Sequence, residues 1–198
     1  KVTNSLISGA WINVLDYGAV GNGIADDTVA IQAAHDTGGS VFYPDGTYLL
    51  TDEIGLSSNA SVVMSAGVII EQTTDDKSVF KATTQTNIDM QCNNALLKGK
   101  GAWSASWTGN SGHLDRVIAI INCVTVNITN ARTRNGSNAG LYIEGSVGVM
   151  VENITVEGTH NYGVPIPSGD NFQNGIYIKH SLAHGNCKNV QINNLNVT

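Results

Sequence analysis

Charge is what this 198-residue chain has least of: Asp, Glu, Lys and Arg make up only 13% of it, about half the usual quarter. The net charge is −6, and the Lys and Arg residues form no cluster. The electrostatic footprint of a nucleic-acid binder or an anionic-membrane binder is therefore missing. No apolar run approaches the ~20 residues that a helix needs to cross a bilayer. The cysteines Cys92, Cys123 and Cys187 make an odd count without Cys-x-x-Cys spacing, and are read as small buried apolar residues. The opening Lys1-Val-Thr-Asn-Ser5 has neither a Met nor the apolar core of a signal peptide. The chain is therefore expected to be a piece of a longer protein, its N-terminal part.

What the chain has instead is glycine, 22 residues of it, with abundant Asn and Thr. Gly and Asn tolerate positive φ, which suits stacked strands joined by many tight turns. One segment, 26–36, reads as helix. Asp26-Asp27-Thr28 offers capping oxygens and negative charge at the positive end of the dipole. Ala30, Ile31 and Ala34 then fall on one face, and Gly38-Gly39 stops the helix. Beyond it come short strands: Ser40–Tyr43, a Pro44-Asp45-Gly46 turn, Thr47–Leu50, then Val62–Met64, Gly67–Ile70, Val79-Phe80 and Ile88–Met90. Val117–Val126 is a longer apolar stretch broken at Asn122-Cys123.

The second half repeats itself. Asn138-Ala-Gly-Leu-Tyr-Ile143 recurs as Asn161-Tyr-Gly-Val-Pro-Ile166, and Gly140-Leu-Tyr-Ile-Glu144 resembles Gly175-Ile-Tyr-Ile-Lys179. Val149–Val156 resembles Val190–Val197, and Val124–Ile128 is a shorter version of that string. A period near 23 residues with drifting insertions signals a solenoid. Coils stacked at about 4.8 Å pair every backbone group and share one core. The predicted fold is all-β: a right-handed, single-stranded parallel β-helix with an N-terminal capping helix. It is expected as a single domain over 1–198, with a lead-in at 1–15, the cap and first coils at 16–50, and coils with loop insertions at 51–198.

Two strings in the opening carry a resemblance. They are Trp11-Ile-Asn-Val-Leu-Asp-Tyr-Gly-Ala-Val-Gly-Asn-Gly-Ile-Ala-Asp-Asp-Thr-Val-Ala-Ile-Gln-Ala-Ala34 and Gly38-Gly-Ser-Val-Phe-Tyr-Pro-Asp-Gly-Thr-Tyr48. Together they resemble the start of the pectate-lyase-like superfamily of right-handed β-helices, departing from its pattern at Asn22, where Asp is usual. Trp11-Ile-Asn-Val before the Asp-Tyr-Gly-Ala string is similar to phage tailspikes and tail appendages. The resemblance implies a fold and not a chemistry, so Asp16, Asp26 and Asp27 are assigned to turns and helix capping.

Enzymes of this fold act on polysaccharides laid along a face of the solenoid. Hydrolysis needs two carboxylates about 5 Å apart for retention or about 6.5–9.5 Å for inversion. A lyase needs a base beside a uronate carboxylate, often with Ca²⁺ or Arg neutralising it. The candidate catalytic carboxylates are Glu144, outward by strand alternation and able to pair with Lys179; Glu157, just past a strand where a turn can aim it; and Asp170, in the insertion 167–173. Trp103 and Trp107 offer aromatic faces for sugar rings, or else pack their loop, and His160 is a further candidate substrate contact. The histidines have no metal-ligand spacing, and no calcium-loop motif is present; no metal or cofactor is expected, apart from Ca²⁺ in the lyase case. Asn59, Asn127, Asn135, Asn153 and Asn196 are assigned to turns or stacked ladders.

The resemblance thus implies a phage tailspike or tail-appendage β-helix that binds, and as an enzyme would depolymerise, a bacterial surface polysaccharide. It implies a homotrimer in the virion tail, without nucleic-acid or membrane partners. The alternatives are a secreted, extracellular polysaccharide lyase or epimerase, and a non-catalytic structural or adhesion β-helix.

Overall fold

The computed structural model describes residues 11–100, 116–135, 139–157, 174–179 and 185–197. Among these residues the strands form two sheets, of twelve and five members, and every pairing is parallel. They coil in the right-handed sense that parallel crossovers take, giving three faces. The first face holds β1 (Ile12–Asn13), β3 (Ser40–Tyr43), β6 (Ser61–Met64), β9 (Thr86–Gln91) and β12 (Val124–Thr129). The second holds β2 (Asn22–Asp26), β4 (Gly46–Leu50), β7 (Val68–Gln72), β10 (Leu96–Lys98) and β13 (Arg132–Arg134). The third holds β5 (Ile54–Gly55), β8 (Phe80–Thr83), β11 (Arg116–Ile121), β14 (Ala139–Glu144) and β16 (Asn174–Lys179). The first two faces are one sheet because β15 (Val147–Glu157) turns the corner, its first half pairing with β12 and its last three residues with β13. The last strand, β17 (Lys188–Val197), follows β15 around that corner.

In the upper coils the corner between the first and second faces is made by a single left-handed residue. Asn130, Asn153 and Asn194 have φ near +54° and stack one above another. The Asn153 amide donates to Asn130 at 3.0 Å, and that of Asn194 donates to Asn153 at 2.8 Å. A second column, Asn87, Thr125, Gly148 and Asn189, is also left-handed, and the Asn87 amide donates to Asn59 at 3.1 Å. Asn is the residue expected at such φ because its short polar side chain bonds locally. Thr125 carries the steric cost of that conformation.

Inward side chains form apolar columns through the stack. On the third face Ile54, Phe80, Ile118, Leu141 and Ile176 lie in register. On the first face Met90, Ile128, Val151 and Ile192 do the same. Full burial of each such side chain stabilises by roughly 1.5–3 kcal/mol. One column on the second face contains a polar interruption, where Thr133 stands between Leu97 and Val156. It is fully buried, and its hydroxyl has no hydrogen-bond partner.

Helix α1 (Thr28–Asp36) covers the N-terminal end with Ile31, Ala34 and His35 buried. The His35 Nε2 shares a 2.8 Å hydrogen bond with the Tyr43 hydroxyl, and Phe80 presents its ring 6.2 Å away. Burial pushes the imidazole pKa down to about 4, against the opposing pull of Asp36. Asp26 caps the helix, accepting from the Thr28 N–H at 3.0 Å. Asp27 is the N-cap residue, its backbone carbonyl accepting from the Ile31 N–H at 2.9 Å, but its side chain takes no part in the capping. Its buried carboxylate turns away from its own helix and accepts from the N–H groups of Val20 and Gly21, at 2.6 and 3.2 Å. It therefore ties the loop before β2 to the cap.

Candidate functional site on the third face

Strand alternation on β14 sends Leu141 and Ile143 into the core and Tyr142 and Glu144 outward. Tyr142 stands over Ala119 and under Tyr177, and Glu144 lies in register with Ile121 and Lys179. The Tyr142 hydroxyl donates to the Glu144 carboxylate. The Arg116 guanidinium, from the first residue of β11, lies over the Tyr142 ring with its carbon 3.5 Å from the centroid, and the Tyr177 ring centroid is 5.5 Å from that of Tyr142. A cation on an aromatic face is stabilised most when water is excluded, and Tyr142 is only 1% exposed although it points outward.

The electrostatics follow from that burial. Desolvation raises the Tyr142 pKa, and the bond to Glu144 raises it further. The phenol is thus a permanent donor that fixes the carboxylate in one orientation. Desolvation also lowers the pKa of Arg116, which the neighbouring Tyr142 and Glu144 oppose, and the buried Nε of Arg116 has no hydrogen-bond partner. The partly exposed Glu144 carboxylate, Arg116 guanidinium and Tyr177 phenol can meet a polyhydroxylated ligand and exchange a proton with it at Glu144, while the buried Tyr142 supports them from beneath.

Glu157 belongs to a different arrangement. β15 runs through Glu157 itself, so the residue is in register with Arg134 and not in a turn. One carboxylate oxygen accepts from Arg132 Nε and Nη2 at 3.1 and 2.8 Å. The other accepts from Arg134, through Nε at 2.9 Å and through Nη2. These bonds hold its pKa below the usual carboxylate range, so it stays ionised and cannot serve as a general acid near neutral pH. It clamps β13 to β15. Glu157 is on the second face and Glu144 on the third, so the two do not face each other across a glycosidic bond.

Trp103, Trp107, His160 and Asp170 lie outside the described residues. In chain order 101–115 joins β10 to β11, and 158–173 joins β15 to β16. Both stretches thus lead from the second face onto the third, where Glu144 is. The sequence reading missed Arg116 and the two tyrosines. The Gly-Leu-Tyr-Ile-Glu and Gly-Ile-Tyr-Ile-Lys strings did place Tyr over Tyr, whereas nothing in the sequence marked Arg116. Among the described residues no group of three or more His, Cys, Asp or Glu is arranged to hold a metal ion.

Comparison with known proteins gives the same architecture. A mannuronan C5-epimerase, AlgE5 of Azotobacter vinelandii, is 54% identical over 41 residues, which are 18% of this chain and 4% of the epimerase. The crystal structure of PfbA, a surface adhesin of Streptococcus pneumoniae, superposes with a TM-score of 0.71 at 23% identity. That match covers 94% of this chain and 48% of the adhesin, so the chain spans about half that protein's length. The pre-mature gene product 12 of bacteriophage phi29 superposes with a TM-score of 0.56 at 20% identity, over 74% of this chain and 24% of the phage protein. The two structural likenesses establish the fold. The profile of one sequence family matches residues 11–197, nearly all of the chain and its repeats included, and the chain therefore belongs to the rhamnogalacturonase A/epimerase, pectate lyase-like family.

Proposed function

We propose that this chain is the β-helix of a phage tailspike or tail appendage that binds a bacterial surface polysaccharide along its third face and cleaves it there, with Glu144 as the proton-transferring carboxylate. The carrying observation is the Arg116–Tyr142–Glu144–Tyr177 cluster: an oriented carboxylate on the outer surface of a regular coil stack, at the face onto which both long segments lead. The phi29 likeness supports the phage setting, and the epimerase acts on a polysaccharide, mannuronan. The proposed location is the virion tail and the proposed assembly a homotrimer. The test is to incubate the full-length protein with capsule or teichoic-acid polymer, size the products, and measure mass by light scattering. Replacing Glu144→Gln should slow cleavage at least ~100-fold while polymer binding persists. Unchanged cleavage in that variant would remove Glu144 from the chemistry, and a monomer would count against the tailspike.

The likeness to the pneumococcal adhesin favours a second reading, adhesion without cleavage. It predicts polymer retention by the full-length protein with no change in polymer size at any incubation time.

A further inference from the structure

Strand β2 is the outermost strand at one end of the twelve-stranded sheet, so it is paired only with β4. That pairing is irregular. Asn22 stands opposite Thr47 and Asp26 opposite Leu49, which leaves Gly23, Ile24 and Ala25 against Tyr48 alone. An excess of residues on one strand is a bulge, and it lifts the extra backbone out of the ladder. Ile24 is accordingly 83% exposed. The exposed Asn22 closes the bulge, its Oδ1 accepting from the N–H groups of Ile24 and Ala25, both at 2.9 Å. Gly23 lies in the left-handed region with φ +72°, where glycine carries no steric cost.

This turn has what an attack of the main chain on a side-chain amide needs. The nucleophile is the Gly23 nitrogen, with no Cβ beside it to obstruct ring closure. The electrophile is Asn22 Cγ, whose oxygen already holds two backbone donors that stabilise the negative charge growing on it during attack. Solvent reaches the turn. We infer that Asn22 is a site of spontaneous deamidation, made so by the β2 bulge. The Gly23 nitrogen bonds to Asn22 Cγ and gives up its proton, the Cγ–Nδ2 bond breaks, and Nδ2 leaves with that proton as ammonia. Water opens the cyclic imide that remains. Breaking the ring at Cγ gives aspartate, and breaking it at the main-chain carbonyl carbon gives isoaspartate. Water is the only co-reactant.

The two products act differently on the fold. Aspartate keeps an oxygen where Oδ1 was, so the bulge stays closed and the net charge of −6 becomes more negative by one. Isoaspartate routes the main chain through Cγ, lengthens it, and takes the acceptor away from Ile24 and Ala25. The adjacent Gly21 accepts from the Thr47 N–H at 2.8 Å and donates to Asp27 at 3.2 Å, so the longer chain loosens the tie between the cap and the first coil. The Asn-Gly pair by itself does not select this site, because Asn135-Gly136 and Asn174-Gly175 share it. Asn174 opens β16 opposite Ala139, in a pairing without a bulge that fixes the backbone as extended.

The test is incubation of the 198-residue chain at pH 8, followed in time by anion-exchange chromatography, peptide mass spectrometry and enzymatic methylation of isoaspartate. In the folded protein Asn22 should convert at least ~10-fold faster than Asn174, and in urea the two should react at equal rates. The isoaspartate form should have a lower Tm, whereas Asn22→Asp should melt with the wild type. Asn22→Ser keeps an oxygen acceptor but has no amide, and should lose the early acidic form. Equal rates at Asn22 and Asn174 in the folded chain overturn the inference, as does an Asn22 amide that outlasts that of Asn174. A lead of Asn22 that persists in urea also overturns it, because the preference would then lie in local sequence and not in the bulge. So does an early acidic form that survives in Asn22→Ser.

Discussion

The buried His35 under the cap makes stability depend on pH in a window that can be isolated. In the unfolded chain the imidazole has its ordinary pKa near 6.5, and in the folded cap burial pushes it down to about 4. The folded state therefore binds fewer protons than the unfolded state between these values, and stability rises with pH across that interval. The contribution is complete above pH 6.5 and is lost as pH falls towards 4. At 1.36 kcal/mol per pKa unit, the gap corresponds to roughly 3 kcal/mol, an order-of-magnitude value for a side chain that is 6% exposed. The groups facing the ring are Tyr43, Phe80 and the adjacent Asp36. Tyr43 stays neutral throughout, because burial holds its pKa well above 10. The assay is urea unfolding from pH 8 to pH 4, comparing wild type with His35→Gln, which keeps a neutral partner for the Tyr43 hydroxyl and does not titrate. Wild type should lose roughly 3 kcal/mol more than the variant on going from pH 6.5 to pH 4. Parallel curves for the two proteins would refute the argument, because they would place the imidazole in water.

Three further outcomes are expected. Thr133→Val should raise stability by about 1–2 kcal/mol, since it removes a buried hydroxyl without a partner at nearly constant volume; a lower urea midpoint would mean that the hydroxyl is satisfied. Asp27→Ala should cost roughly 2–4 kcal/mol, because the N–H groups of Val20 and Gly21 lose their charged acceptor, and should appear as a clear drop in Tm. Glu157→Gln should cost only about 1 kcal/mol, because Arg132 and Arg134 are partly solvated; the loss should shrink in high salt, and the proposed cleavage at Glu144 should not depend on it.

Much of the scaffold was legible because its local signals agree. Pro44-Asp45 separates β3 from β4, with Gly46 opening β4, and the break at Asn122-Cys123 separates β11 from β12, with Asn122 left-handed. The likeness of Val149–Val156 to Val190–Val197 is the register of β15 on β17, residue by residue. The likeness of Gly140–Glu144 to the string at 175–179 likewise gives β14 on β16. The other repeat, at 161–166, lies outside the described residues. Asn59, Asn135 and Asn153 proved to be left-handed residues, as turn assignments require, whereas Asn127 and Asn196 sit inside strands. The site was less legible for a physical reason. Alternation tells inward from outward, but not whether an outward residue is wet, and Tyr142 is outward and dry. Arg116 reaches it from a neighbouring coil, a contact that no spacing within one strand records. The pairing of Glu157 with two arginines, 25 and 23 residues earlier in the chain, is likewise a cross-coil event. Asp27 is the N-cap residue by its backbone, and its carboxylate serves the turn at Val20 and Gly21, so both assigned roles, turn and capping, meet in one residue.

Coil length in this protein is not fixed. The chain takes 23 residues to climb from Val126 to Val149 and 41 to climb from Val149 to Val190, yet both arrive on the same rung. The spine counts only the side chains that point inward, and whatever lies between one face and the next is invisible to it. The sequence between β10 and β11, or between β15 and β16, can therefore change in length while the paired strands keep their register. Such a spine lets the exterior diverge while the interior stays the same.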